Sequence, residues 1–135
     1  MAEIDDACRD VVASVDGAVA CGVIDLATGM LLGSHVSASF PPDIADKIAV
    51  IAVELFRGAN VGRIEKTLRS RRSTDNQETH VLEEVHATSR DGFHLAKAIK
   101  GGKAALVLLM KRSANQGIGW AQMKAATPKI ESQLP

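Results

Sequence analysis

The chain contains no tyrosine, one tryptophan and three phenylalanines. Single-stranded nucleic acid is commonly held on stacked aromatic side chains, and so few rings leave little to build such a platform. The formal net charge is zero, which removes any global attraction to polyphosphates or anionic bilayers. Two cysteines, Cys8 and Cys21, belong to no CxxC or zinc-type cluster and are too few for a disulfide scaffold. The longest apolar run, AALVLLM at 104–110, is far shorter than a membrane-spanning helix needs. The N-terminus is acidic from Glu3 onward and lacks the apolar core of a signal peptide. These absences predict a cytoplasmic protein with reduced, buried thiols, no membrane insertion and no nucleic-acid partner.

What is present is a core. Hydrophobic residues make up 46% of 135 residues, enough for one domain. About ten buried aliphatic side chains would each contribute about 1.5–3 kcal/mol before entropy is charged. A single domain is expected over residues 1–127, with 128–135 a flexible C-terminal tail beyond Pro128.

The apolar spacing assigns the elements. Ile4, Cys8, Val11, Val12 and Val15 recur at helical intervals. Residues 18–25 and 30–36 read as two strands, with Gly29 supplying the left-handed turn residue. FPPDIADKIAVIAVELF then opens the longest predicted helix, about 42–70, with Pro41, Pro42, Asp43 and Asp46 at its start. Its apolar stripe is Ile44, Ile48, Ile51, Ala52 and Leu55. HVLEEVHAT, FHLAKAIK and KAALVLLMK follow as three strands. A two-residue Gly101-Gly102 loop sets Leu95 opposite Leu108. One face of these strands then collects Phe93, Leu95, Ile99, Leu106, Leu108 and Met110. The other collects Ala96, Ala98, Ala105, Val107 and Leu109. Both are apolar, so both need covering. A last helix is expected at 114–126, capped by Asn115, with Ile118, Ala121 and Ala125 on one side.

Candidate chemistry is sparse. GAVACGVI at 17–24 has two glycines five apart but lacks the Lys and Ser/Thr of a phosphate loop. KGGK at 100–103 reads as a hairpin with charged ends, or as an anion cradle. His80 and His86 share a strand but lie roughly 20 Å apart, and His94 falls on the other face. No metal site is expected. Cys8 and Cys21 have no base nearby in sequence, so neither reads as a nucleophile. No catalytic residue and no cofactor site emerges. The basic run that includes Arg63, Arg69, Arg71 and Arg72 complements a helix C-terminus, or offers contacts to an acidic partner. Gly58 and Gly62, four apart, form either a small-residue groove for another helix or a helix break.

By elimination the chain reads as a binding domain, and its pattern has a counterpart. VDGAVACGVIDLATGMLLGSH at 15–35 has a glycine before the first strand, an aspartate ending it and a Thr-Gly turn. AALVLLMKRSANQGIGWAQMKAA at 104–126 has an aliphatic last strand, then Asn115 and Gly117 opening the final helix. With the order α-β-β-α-β-β-β-α, these stretches resemble the roadblock/LC7 family of dynein light-chain-like and MglB-like domains, over residues 3–126.

The resemblance implies an α+β fold: a five-stranded antiparallel sheet with a long helix on one face and two shorter helices on the other, a profilin-like sandwich. It implies a non-catalytic domain without cofactors. It also implies a homodimer in which sheets join edge to edge and the middle helices pack side by side, regulating or scaffolding a small Ras-like GTPase of the MglA type. The expected dimer or partner interface is Ile44, Ile48, Ile51, Ala52, Leu55, Gly58 and Gly62, with Arg63, Arg69, Arg71 and Arg72 as acidic-partner contacts. Ile48→Asp is expected to give monomer or aggregate. The alternative is a small-molecule sensor on a similar sheet, which a cavity of several hundred Å3 would favour.

Overall fold

In the computed structural model, residues 2–41, 43–58, 63, 64, 66–68 and 82–135 are described. Helix α1 (Ala2–Ser14) leads into strands β1 (Ala18–Asp25) and β2 (Leu31–Val36). Helix α2 (Ile44–Arg57) follows, then β3 (Glu84–Thr88), β4 (Gly92–Ile99), β5 (Ala104–Lys111) and helix α3 (Gln116–Ser132). The strands form one sheet in the order β2-β1-β5-β4-β3, every pair antiparallel. This is the expected α+β architecture.

Strand alternation sends side chains to two cores. Cys21 and Val23 of β1, Leu95 of β4, and Leu106 and Leu108 of β5 meet Ile4, Cys8, Val11 and Val15 of α1 and Met123 and Ile130 of α3. On the opposite face, Ala20, Ile24, Ala96, Ala105 and Val107 meet Ile48, Ala49, Ala52 and Phe56 of α2. Each strand face falls in the core expected of it. The pairing Leu95 with Leu108, Phe93 with Met110 and Ala96 with Val107 is also the expected register. The ladder stops at Ile99 and Ala104, so Lys100 and Lys103 belong to the loop, whose first three residues form a 3-10 turn.

Two glycines stand where a side chain would be strained or would clash. Gly29 has a φ of 76° and closes the β1–β2 turn by donating its N–H to the Asp25 carbonyl. A Cβ on Gly33 would collide with Ile4 Cγ2, so this glycine is what lets α1 lie directly on β2.

Four expectations are corrected. The helix predicted at about 42–70 ends at Arg57: Gly58 takes an extended conformation (φ −63°, ψ 155°) while its N–H still closes the last turn on Glu54. Glycine is among the poorest helix formers, and the break reading of Gly58 holds over the groove reading. Residues 63, 64 and 66–68 are helical again, and Gly62 lies outside the described residues.

Second, Pro128 does not end the last helix, and 128–135 is no loose tail: α3 continues to Ser132. Proline interrupts a helix by removing one backbone donor, but here burial of Ile130 (0% exposed) and Leu134 (9%) fastens the segment to the core. Third, Ile118, Ala121 and Ala125 face solvent, while Gly119, Met123 and Ile130 face inward. Spacing alone points to the wrong stripe because the first inward position is a glycine. Fourth, β3 starts at Glu84, with residues 82 and 83 outside the ladder, whereas the apolar pattern predicts a strand from about residue 80.

Candidate interaction surface

The two edges of the sheet differ. At the β2 edge, Asp5 of α1 accepts a hydrogen bond from the Ser34 backbone N–H at 2.8 Å. At the β3 edge, Glu84, His86, Ala87 and Thr88 are exposed and only Val85 is half-buried. Among the described residues no segment pairs with the outer side of β3. A free edge offers its backbone donors and acceptors to another strand.

The two faces differ as well. Helices α1 and α3 together cover one face. On the other, α2 lies over β1, β2 and the near side of β5. Towards β4 and β3 this cover thins: Ala96 is buried in the α2 core, while His94, Ala98 and Val85 are half-buried. Between α2 and this part of the sheet runs an apolar groove, with Ile44, Ile51 and Leu55 on the helix side and His94, Ala96 and Leu109 on the sheet side.

The stripe expected at the interface therefore divides. Ile48 (4% exposed) and Ala52 (1%) point into the monomer's own core. Ile44 and Leu55 are half-buried groove walls. Ile51 (48%) stands on the rim, with Val50 (66%) beside it. The core positions Ala45, Ala49 and Phe56 fall outside the predicted stripe. Gly58 sits at the helix terminus, and Arg63 is exposed beyond it. Gly62, Arg69, Arg71 and Arg72 lie outside the described residues. Sequence reasoning misses His94 and the adjoining β3 edge as parts of one surface. The apolar face that includes Ala96 and Leu109 is legible, but not that a groove runs between it and α2.

The chemistry-bearing side chains are accounted for structurally. His86 meets the Phe93 ring edge-on at 5.9 Å, and Arg112 stacks over the same ring at 5.2 Å. His86 pairs across from Leu95 and His94 from Ala87, so they occupy opposite sheet faces. His80 lies outside the described residues. Among the described residues, no group of three His, Cys, Asp or Glu side chains is placed to hold a metal. Cys8 and Cys21 are free thiols, both buried. Their mutual hydrogen bond, then burial, then the charge on Cys8 hold the Cys21 thiol well above its usual pKa. It is neutral at physiological pH and a poor nucleophile. Among the described residues, no helix is long and apolar enough to cross a membrane.

Neither a family model nor a curated protein matches the sequence. Solved structures do match in shape. The gliding protein MglB from Thermus thermophilus superposes with a TM-score of 0.74 at 18% identity, covering 97% of this chain and 87% of that one. A roadblock/LC7 domain from Streptomyces avermitilis gives 0.70 at 15% identity, covering 96% of each chain. MglC from Myxococcus xanthus gives 0.61 at 20% identity, covering 98% of this chain and 99% of that one. Superpositions of this extent establish a common architecture, and the fold of this chain is the roadblock/LC7 fold.

Proposed function

We propose that the chain is a non-catalytic interaction module that works as a homodimer in the cytoplasm. The observation that carries this reading is one juxtaposition: β3, whose outer edge no described residue pairs, is the strand next to the β4 residues that line the apolar groove along α2. A second copy related by a twofold axis would extend the sheet through β3 and lay its α2 against the first. One contact would cover both exposed features, as isologous dimers do. The likeness to MglB, one solved structure of which has a tetrameric arrangement, supports assembly as the mode of action.

The assembled surface then scaffolds or regulates a small Ras-like GTPase. The support is the similarity to MglB, and exposed Arg63, beyond the end of α2, is proposed as a contact to an acidic partner surface together with Arg69, Arg71 and Arg72, which lie outside the described residues. Sedimentation velocity on the purified chain tests the first step: a dimer at micromolar concentration is expected, and a monomer throughout overturns it. A pull-down from the host lysate tests the second, run with GDP and with a non-hydrolysable GTP analogue. Retention of a small GTPase in one nucleotide state is expected. Retention of none in either state removes the GTPase from the account and leaves the dimer standing.

A further inference from the structure

The loop between β4 and β5 is unused by the interaction reading, yet it is tied down from two sides. Lys100 is the one non-glycine residue with positive φ among those described, at 54°, and Gly101 and Gly102 follow at 65° and 87°. A left-handed backbone is unfavourable for a lysine, so the surroundings must hold it there. The Glu131 carboxylate accepts from the Lys100 N–H, and Lys100 Nζ donates to the Glu131 carbonyl at 3.3 Å. From α2, the Arg57 guanidinium donates to the Gly102 carbonyl and, at 2.8 Å, to the Phe56 carbonyl. The ends of two helices thus fix one short loop.

Beside this loop opens a cavity of about 730 Å3. Leu26, Leu32 and Leu134 give it apolar walls, and Arg57, Lys100 and Lys103 bring three cationic side chains to it. Among the described residues, Asp25 is the one carboxylate side chain lining it, and its Oδ1 already accepts from the Ala27 N–H at 3.0 Å. Small-molecule sites have this size and make-up: a concave apolar surface with a few fixed polar groups. An ammonium has three donors, so the single side-chain bond of Lys100 leaves it able to take a ligand.

We propose that this cavity binds a small soluble amphiphilic anion. Its acidic head, a carboxylate or a group of like charge, sits between Lys100 and Lys103. Its apolar body lies against Leu26, Leu32 and Leu134. Lys100 and Lys103 set the sign of the head, since the Asp25 carboxylate is held by the Ala27 N–H and the Glu131 carboxylate by the Lys100 N–H, and the leucines set the character of the body. Arg57 is a positioning residue, since its bonds hold the loop to α2.

The test is an amide-shift titration of the isotopically labelled protein with sodium octanoate, beside 1-octanol and sodium phosphate at matched ionic strength. Octanoate is expected to shift the amides of Ala27, Gly101, Gly102, Lys103 and Leu134 saturably. Octanol lacks the charge and phosphate the apolar body, and each should bind about tenfold more weakly or worse. Lys103→Glu leaves the loop's backbone bonds in place and should weaken octanoate about five- to tenfold. Ala27→Trp fills the cavity and should block binding with distant amides unmoved. Absence of a saturable shift, an equal response to octanol or phosphate, or unchanged affinity in Lys103→Glu overturns the proposal.

Discussion

At the β2 edge, Asp5 takes up the Ser34 N–H and Ile4 rests on Gly33. At the β3 edge, no described residue does either. The contrast extends to the faces, one roofed by two helices and the other by one helix whose cover thins towards β4 and β3, leaving His94, Ala98 and Val85 half-buried. Free edges invite association; among the described residues one edge is closed and the other is not. Both faces contribute a buried core to the monomer, and the proposed dimer would meet at the β3 side.

The largest expected effect lies on the sealed side. Ile4 is fully buried against the β2 edge, so Ile4→Ala should cost about 2–5 kcal/mol in urea denaturation. A loss near zero would mean that α1 is not what closes that edge.

Ile51→Glu probes the open side. Ile51 is half-exposed in the monomer, so the change should alter monomer stability by no more than about 0.5 kcal/mol. In the proposed dimer it places a charge in an apolar seam and should weaken the dissociation constant about a hundredfold. Sedimentation equilibrium reads this directly, and an unchanged dimer moves the seam elsewhere. Ile48→Asp, the variant suggested by the stripe alone, is a poor probe because Ile48 is inside the fold and its loss would unfold the monomer.

How far the sequence carries is visible in these same residues. The β4–β5 register and the two sheet faces are legible because a Gly-Gly turn fixes pairing and strand alternation fixes facing. The helix end at Gly58 and the continuation through Pro128 are not. Each is a contest between local propensity and tertiary packing, and a spacing pattern contains no information about Ile130 reaching the core. The groove is half legible: the helical stripe is there to read, but which part points inward depends on where α2 settles on the sheet. The cavity cannot be read at all, since the β1–β2 turn, the end of α2, the β4–β5 loop and the chain's last residues meet only after folding.

A smaller effect sharpens the edge comparison. Asp5→Ala removes the acceptor for the Ser34 N–H and should cost about 0.5–1 kcal/mol, since the site is open to water. Its distinctive consequence is a second free edge. Light scattering at high protein concentration should then show higher-order association in Asp5→Ala and none in Ile51→Glu. If both behave alike, the β2 edge is protected by the bulk of α1 and not by this bond.

The smallest effect near neutrality is a pH dependence confined to the sealed side. Cys21 is fully buried between β1 and α1, and its hydrogen bond with Cys8 and its burial raise its pKa well above the usual value. In the unfolded chain a thiol titrates near about 8.5. Between that pH and the folded value, the native state holds a proton that the unfolded state has lost. Folding stability from this group is therefore complete below the unfolded value and declines as pH rises above it. At about pH 9 the loss should be under about 1 kcal/mol relative to about pH 7. Urea denaturation of the wild type across this range should show the decline, Ile51→Glu should share it, and Cys21→Ala should flatten it. A slope that survives Cys21→Ala would assign the dependence to other titrating groups and leave the thiol pair with packing as its whole contribution.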